Sequence, residues 1–347
     1  MKSAVLLINL GTPDAPERSA VRRYLSEFLM DGRVIDITAP LRALLVLGVI
    51  APLRAGRSAR QYQAIWDAGD ISGSPLMHHS LALRRVLQDR LGDDLPCHLA
   101  MRYGSPSMHE VLGQLREEGI ERLLVLPLYP QYASATSGSV GEKLMRILAG
   151  WDNIPTLHFV HDLLHSPGFI EAWRAEVLPI WGTGKWDHLL FSFHGLPERQ
   201  VRRSCGRPCM PGDCPVDSVP FCYRSGCSVT ARGIAQTLLL PDSAWSISYQ
   251  SRLGSGWLRP YSDAVVAELA RSGVRRLLVC AAAFTADCLE TVYEVEVELR
   301  ETFMDAGGES FALVPSLNAG EAWVDVLEDI VREQLSAPDQ GASPASI

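Results

Sequence analysis

Hydrophobic positions come in two rhythms along this chain. Short unbroken apolar runs, such as SAVLLINL at 3–10, RLLVLP at 122–127 and RLLVCAA at 276–282, have strand length and no polar alternation. Between them lie longer segments in which apolar residues recur every three or four positions. Unbroken runs mark strands buried on both faces, and the longer segments mark amphipathic helices. On this basis strands are predicted at 3–10, 97–101, 122–127, 156–160, 187–193, 244–248, 276–282 and 311–315. Helices are predicted at 16–30, 75–91, 107–118, 138–149, 167–180, 228–240, 261–272, 289–304 and 320–335. Such alternation predicts an α/β protein whose parallel sheets are covered by helices on both faces.

The two halves echo each other. VLLINLGTP at 5–13 matches LLFSFHGLP at 189–197, with Gly and Pro in the same places, and GIERLLV at 119–125 matches GVRRLLV at 273–279. The echo predicts two similar α/β domains facing a cleft, with the last helix crossing back to the first. The first domain is expected over 1–162 plus 316–336, the second over 163–315, and 337–347 as a disordered tail.

With 347 residues, 47% hydrophobic and 21% charged, the chain has a globular balance and the length for two domains. A net charge of −8 disfavours a nucleic-acid partner, which needs a concentrated excess of Lys and Arg. The first apolar run stops at Gly11-Thr12-Pro13, short of a signal peptide, and no apolar run reaches the roughly 18 residues of a spanning helix. A cytoplasmic protein is expected. Thiols stay reduced there, so clustered cysteines point to a metal site rather than a disulfide frame.

The apolar stretch LRALLVLGVIAPL at 41–53 is bracketed by Arg42, Arg54, Arg57 and Arg60. It is either a core helix or an exposed lip that rests on a membrane or shields an apolar ligand.

Two places carry candidate chemistry. His194 ends the strand at 187–193, where open α/β sheets put their sites. It is either a structural residue or a catalytic one. In AAAFTADCLETVYEVEVE at 281–298, Glu290, Glu294 and Glu298 recur at i, i+4, i+8, and Asp287 precedes them. Like charges at this spacing cost stability. The row is either a solvated face or a series of stations for a hydrated divalent cation. A third feature is the loop after His194, which holds Cys205, Cys209, Cys214, Cys222 and Cys227 among many Pro and Gly residues. No C-x2-C pair occurs in it. Four thiolates on an irregular loop suit a [2Fe–2S] cluster or a structural zinc.

Nearly end to end, the chain resembles the ferrochelatases, which insert Fe2+ into a porphyrin. The resemblance is carried by LLINLGTPD at 6–14, FLMDGRVID at 28–36, GSPL at 73–76, MRYG at 101–104 and PLYPQYASATSGS at 127–139. It continues in SFHGLPER at 192–199, YQSRLG at 249–254 and AFTADCLETVYEVEVE at 283–298. It implies two Rossmann-like domains, each a four-stranded parallel sheet flanked by helices, and a porphyrin with ferrous iron as substrates. His194 and Glu290 would be the paired active-site residues, with Asp287, Glu294 and Glu298 along the metal path. The lip over 37–60 and the aromatic residues Tyr103, Tyr129, Tyr132 and Trp257 would hold the porphyrin. The resemblance to cluster-bearing bacterial members implies a [2Fe–2S] cluster on Cys205, Cys209, Cys214 and Cys222, with Cys227 as the alternative fourth ligand. Asp14, where users of coproporphyrin tend to have tyrosine, leans towards protoporphyrin IX. Peripheral attachment to the inner face of a membrane through 41–60 would go with the lip. Two rivals stand beside this reading: a cobalt or nickel tetrapyrrole chelatase, which would want a second histidine at the metal, and a non-catalytic iron–sulfur redox protein, which would leave His194 and the glutamates idle.

Overall fold

The structure, a computed structural model, describes residues 1–206, 219–252 and 254–336. Eight strands form, β1 (Ser3–Asn9), β2 (Cys97–Met101), β3 (Arg122–Pro127), β4 (Thr156–Phe159), β5 (His188–His194), β6 (Trp245–Gln250), β7 (Arg276–Cys280) and β8 (Ser310–Val314). They make two four-stranded sheets, ordered β2-β1-β3-β4 and β6-β5-β7-β8, with every pair parallel. The two orders are the same. The sequence echoes fall on β1 and β5 and on β3 and β7, the central strands of each sheet.

Alternate side chains on each central strand go to different cores. Val5 and Leu7 on β1, and Leu189, Phe191 and Phe193 on β5, enter one common cluster with Leu83, Leu87, Trp173, Ile234, Trp323 and Leu327. The opposite face of β1, Ala4, Leu6 and Ile8, packs under helices Met108–Glu117 and Ser137–Leu148 through Leu112, Val140 and Leu144. Leu190 on β5 does the same with Val266, Val295 and Phe303. Burial on both faces is why these strands carry no polar alternation. Trp173 and Trp323 are the largest fully buried side chains, each removing apolar area worth roughly 2–3 kcal/mol.

The final helix, Glu321–Ser336, follows β8 yet packs on helices Pro75–Leu91 and Phe169–Trp181 and on β3. Arg122 Nη1 donates to the Leu335 carbonyl at 2.7 Å, and Arg90 pairs with Asp325 at 3.2 Å. The polypeptide thus returns to the first sheet while also packing on a helix of the second half.

Three helical features depart from expectation. Glu198–Cys205 is an α-helix that the sequence did not announce, because Val201 is its one fully apolar buried side chain. Its docking is polar: Asp36 receives Arg199 and Arg203, and Gln200 Nε2 reaches the carbonyls of Arg33 and Val34 at 3.3 Å. The helix expected over 289–304 is a π-helix over Glu290–Leu299 that becomes α over Arg300–Asp305. The stretch around 41–53 belongs to one helical run, α over Ala39–Leu45, π over Val46–Ile50 and α over Ala51–Ile65. Pro40 sits in the first turn of the run, where its missing N–H costs little, whereas Pro52 lies inside it, directly after the π segment that accommodates the lost intrahelical bond. By length and composition alone this 27-residue run is apolar enough to cross a membrane, which corrects the shorter span read from the apolar run. It is not a core helix over 39–50, where Val46 alone is buried. Leu44 and Leu53 are 71% and 76% exposed, so the lip is an apolar surface. The later half is anchored, with Ala55, Ala59, Tyr62 and Ile65 buried against helix Arg18–Leu29 and the π-helix.

Candidate active site

β5 and β7 are neighbours that send their connections to opposite sides of the sheet. Their C-terminal tips therefore flank the place where α/β sheets hold ligands. β5 ends in His194, and the chain leaving β7 reaches Glu290 at the start of the π-helix. Two surface hollows, of about 670 Å3 beside β2 and about 410 Å3 beside β6, contain neither residue. The chemically equipped place is thus the strand tips rather than either of these hollows.

The turn after His194 fixes its imidazole. Nδ1 lies 2.7 Å from the carbonyl of Gly195. A carbonyl only accepts, so Nδ1 carries the proton and the neutral ring leaves Nε2 as an acceptor. Burial pushes the His194 pKa below its ordinary value, and the carboxylate of Glu290 and the Gly195 carbonyl only partly oppose this. Phe284 packs edge-on with ring centroids 6.3 Å apart. Gly195 is required: a Cβ there would lie 2.7 Å from the Gln250 carbonyl oxygen, which also accepts from Gly195 N. Gln250 then spans the site. Its Nε2 donates to the Glu290 carbonyl at 3.2 Å and its Oε1 accepts from Ser192 at 2.6 Å.

The glutamates occupy graded surroundings. Glu294 is pushed up to about 7, first by burial and then by Glu290 and Glu298, against a hydrogen bond from Ser251 and the charge of Arg54. Glu298, farther out, receives Arg57 at 3.1 Å and Gln61 at 3.3 Å. Asp287 is occupied differently. Its carboxylate accepts from Asn318 Nδ2 at 2.8 Å, Thr291 Oγ1 at 3.0 Å and Ser316 N at 3.3 Å, and its charge acts on His79 and Glu176. It ties the turn before the π-helix to the 316–318 segment. Among the described residues no three His, Cys, Asp or Glu groups stand close enough to hold a metal. The row offers successive single carboxylates, not a ready-made cage.

The aromatic candidates divide. Trp257 lies against Gly195, its Cε3 3.4 Å from where a Cβ would stand. Tyr132 is half-buried, edge-on to Phe221 at 5.0 Å. Tyr103 is 1% exposed, with its hydroxyl donating to Asp31 at 2.8 Å, so it serves as wall rather than as a hydrogen-bonding contact. Tyr129 is also buried, and its hydroxyl has no hydrogen-bond partner among the described residues. Sequence reasoning missed Tyr24 and Tyr62, buried phenols close enough for Glu290 to act on both; burial pushes both well above the ordinary tyrosine value. Tyr24 donates to the Gly11 carbonyl at 3.0 Å. The LGTP motif could have pointed to them. Gly11 has φ +109°, and a Cβ there would fall 1.7 Å from the Tyr103 carbonyl oxygen, so the turn after β1 closes directly onto this layer.

Of the cysteine candidates, Cys209 and Cys214 lie outside the described residues. Cys205 ends helix Glu198–Cys205, and Cys222 is the buried N-cap of helix Tyr223–Thr237. A helix N-terminus favours a thiolate. Cys227, one turn further in, is wholly buried, and burial raises its thiol well above the ordinary value although Tyr223 lies against it. Cys205 and Cys222 flank 207–218 as soft thiol donors, the kind a thiolate-bound group takes.

The family model for ferrochelatase matches residues 2–335. A ferrochelatase of Legionella pneumophila (strain Corby) is 39% identical over 96% of this chain and 100% of its own length. One from Yersinia enterocolitica is 39% identical, and ferrochelatase 2 of Shewanella oneidensis 40%, each over 96% of this chain and 98% of its own. Among solved structures, SirB from Bacillus subtilis with Fe3+ superposes with a TM-score of 0.51 at 11% identity, covering 96% of this chain and 95% of that one. A sirohydrochlorin chelatase SirB from the subspecies spizizenii in complex with cobalt gives 0.50 at 12%, covering 97% of each. At such identity these structures speak for the fold alone, the two-sheet chelatase architecture. Matched over almost its whole length, this chain belongs to the ferrochelatase family and is a metal chelatase acting on a porphyrin.

Proposed function

We propose that the protein inserts Fe2+ into protoporphyrin IX, forming protohaem in the last step of haem biosynthesis. The carrying observation is the committed tautomer of His194: Nδ1 is held by the Gly195 carbonyl, so Nε2 is a bare base beside Glu290. Metal cannot enter a porphyrin until the ring bends and two inner N–H protons leave. Nε2 of His194 accepts a proton on one face. Glu290 guides Fe2+ or takes part in proton removal on the other. Glu294 and Glu298 supply metal, since carboxylate oxygens replace its water ligands. Trp257, Tyr132, the buried Tyr103 and Tyr129, and the lip favour a ring already bent towards the metallated geometry. Asp287, assigned to the metal path by resemblance, acts from its hydrogen bonds as the anchor of the turn before Glu290.

Cys205, Cys209, Cys214 and Cys222 hold a [2Fe–2S] cluster in this reading, with a structural role. Its thiolate-bound iron would join segments with little packing of their own. The exposed leucines of the lip rest on the inner face of the membrane, so the protein is cytoplasmic and peripheral.

The test is metallation of protoporphyrin IX and coproporphyrin III by purified protein, with Fe2+ under anaerobic conditions. Protoporphyrin should give the higher kcat/KM, and Glu290→Gln should abolish turnover. A preference for coproporphyrin would overturn the substrate assignment, and full activity in Glu290→Gln would remove that carboxylate from the chemistry.

A further inference from the structure

Helix Ala51–Ile65 of the lip aims two guanidinium groups at the carboxylate row. Arg57 and Gln61, four apart on one face, both reach Oε1 of Glu298, at 3.1 and 3.3 Å. Arg54, one turn earlier, lowers the cost of charge on Glu294. Among the described residues no Arg or Lys pairs with Glu290. Counter-charge is therefore supplied at the outer end of the row and withheld at the inner end.

We propose that Arg57 gates this row: it sits on the outermost carboxylate as a tethered cation, and a metal ion reaches Glu298 by displacing it. This rests on the reading of Glu294 and Glu298 as metal stations. The pair suits replacement. Arg57 is 72% exposed and Glu298 39%, so the bond is solvent-screened and weak. The long side chain swings into water without moving its helix, while a divalent ion brings twice the charge to an oxygen ligand it favours. Displacement also removes one tie between the lip and the π-helix, the Arg57 bond, while Gln61 Nε2 can keep its acceptor on Glu298. Metal arrival and lip attachment thus compete for one oxygen.

The experiment measures Mn2+ binding to the full chain without porphyrin, from the electron paramagnetic resonance signal of the free ion. Mn2+ prefers oxygen ligands, so the cysteines compete poorly for it. Arg57→Gln should tighten binding about two- to five-fold, the range spanned by an exposed ion pair. Glu298→Gln should weaken it, and the double variant should behave as Glu298→Gln alone. Unchanged or weaker binding in Arg57→Gln, with Glu298→Gln still weakened, overturns the gate and leaves the metal row standing. Binding unaffected by Glu298→Gln overturns the row and the gate with it.

Discussion

Tyr223 donates its phenolic hydrogen to the main-chain carbonyl of His194 at 2.9 Å. It is the first residue of the helix that Cys222 caps. The backbone of the proposed base is thus held by the residue next to a proposed cluster ligand, and this is the physical route by which the cysteine segment bears on the chemistry.

Tyr223→Phe removes that bond, and the phenol's contact with the Cys227 thiol, without emptying space. We expect a loss of about 1 kcal/mol of stability, as for one buried hydrogen bond, and a several-fold fall in kcat with KM for Fe2+ unchanged. His194→Ala should lower turnover at least ~10²-fold and leave the fold intact. Near-normal turnover in a folded His194→Ala protein would remove the imidazole from the mechanism.

Cys222→Ser should lose the red-brown colour and, with it, both stability and activity. Cys227→Ser should keep the colour, because its thiol is buried and protonated within the helix. Iron and sulfide analysis decides the matter: about two of each per chain is expected from the cluster formula. One zinc per colourless chain would defeat the cluster, and loss of colour in Cys227→Ser alone would exchange the fourth ligand.

Two groups set the pH behaviour. His194 has a depressed pKa, so it stays neutral and competent as pH falls below the ordinary histidine value of about 6.5; the acid limb of kcat should lie below that. Glu294 titrates near 7 and takes up a proton as pH falls through it, so the apparent KM for Fe2+ should rise there. Glu294→Gln should flatten that dependence. Its folded pKa is raised, so the stability linked to it is complete below about 4.5 and is lost as pH rises through 7. Above pH 7 the Gln variant should therefore be the more stable, by roughly 1–3 kcal/mol. Equal melting temperatures at pH 8 would count against a buried carboxylate.

Asp287→Asn separates anchoring from metal transport. An asparagine cannot satisfy Asn318, Thr291 and Ser316 together, so the melting temperature should drop while the apparent KM for metal holds. A raised KM with normal stability would return Asp287 to the metal path.

The strands and the tip position of His194 were legible because burial on both faces writes continuous apolar runs, and because a parallel strand must end at a connection. The π-helix was not legible. Glu290, Glu294 and Glu298 share a face in either helix type, and side-chain spacing does not record which carbonyl each N–H chooses. The helix ending at Cys205 was hidden for a different reason: Asp36, Arg199 and Arg203 hold it by charge, which leaves no apolar period. The full lip was masked by Arg42, Arg54 and Arg57, whose charges interrupt the hydropathy but lie along a helix that continues through them. Tyr24 and Tyr62 carry no motif of their own, and the LGTP turn that Tyr24 hydrogen-bonds is the one sequence signal near them.

The common core described above, in which β1 and β5 bury side chains against the same helices, also decides how this molecule can move. A hinge between the two sheets would expose Trp173, Trp323 and Phe191 to water together, at a cost that thermal motion does not meet. Clamshell closure would have to break that shared core. Admission and release of the ring fall to a part outside that core, the exposed lip around Leu44 and Leu53, since the π-helix is itself packed on the second sheet through Val295 and Leu299.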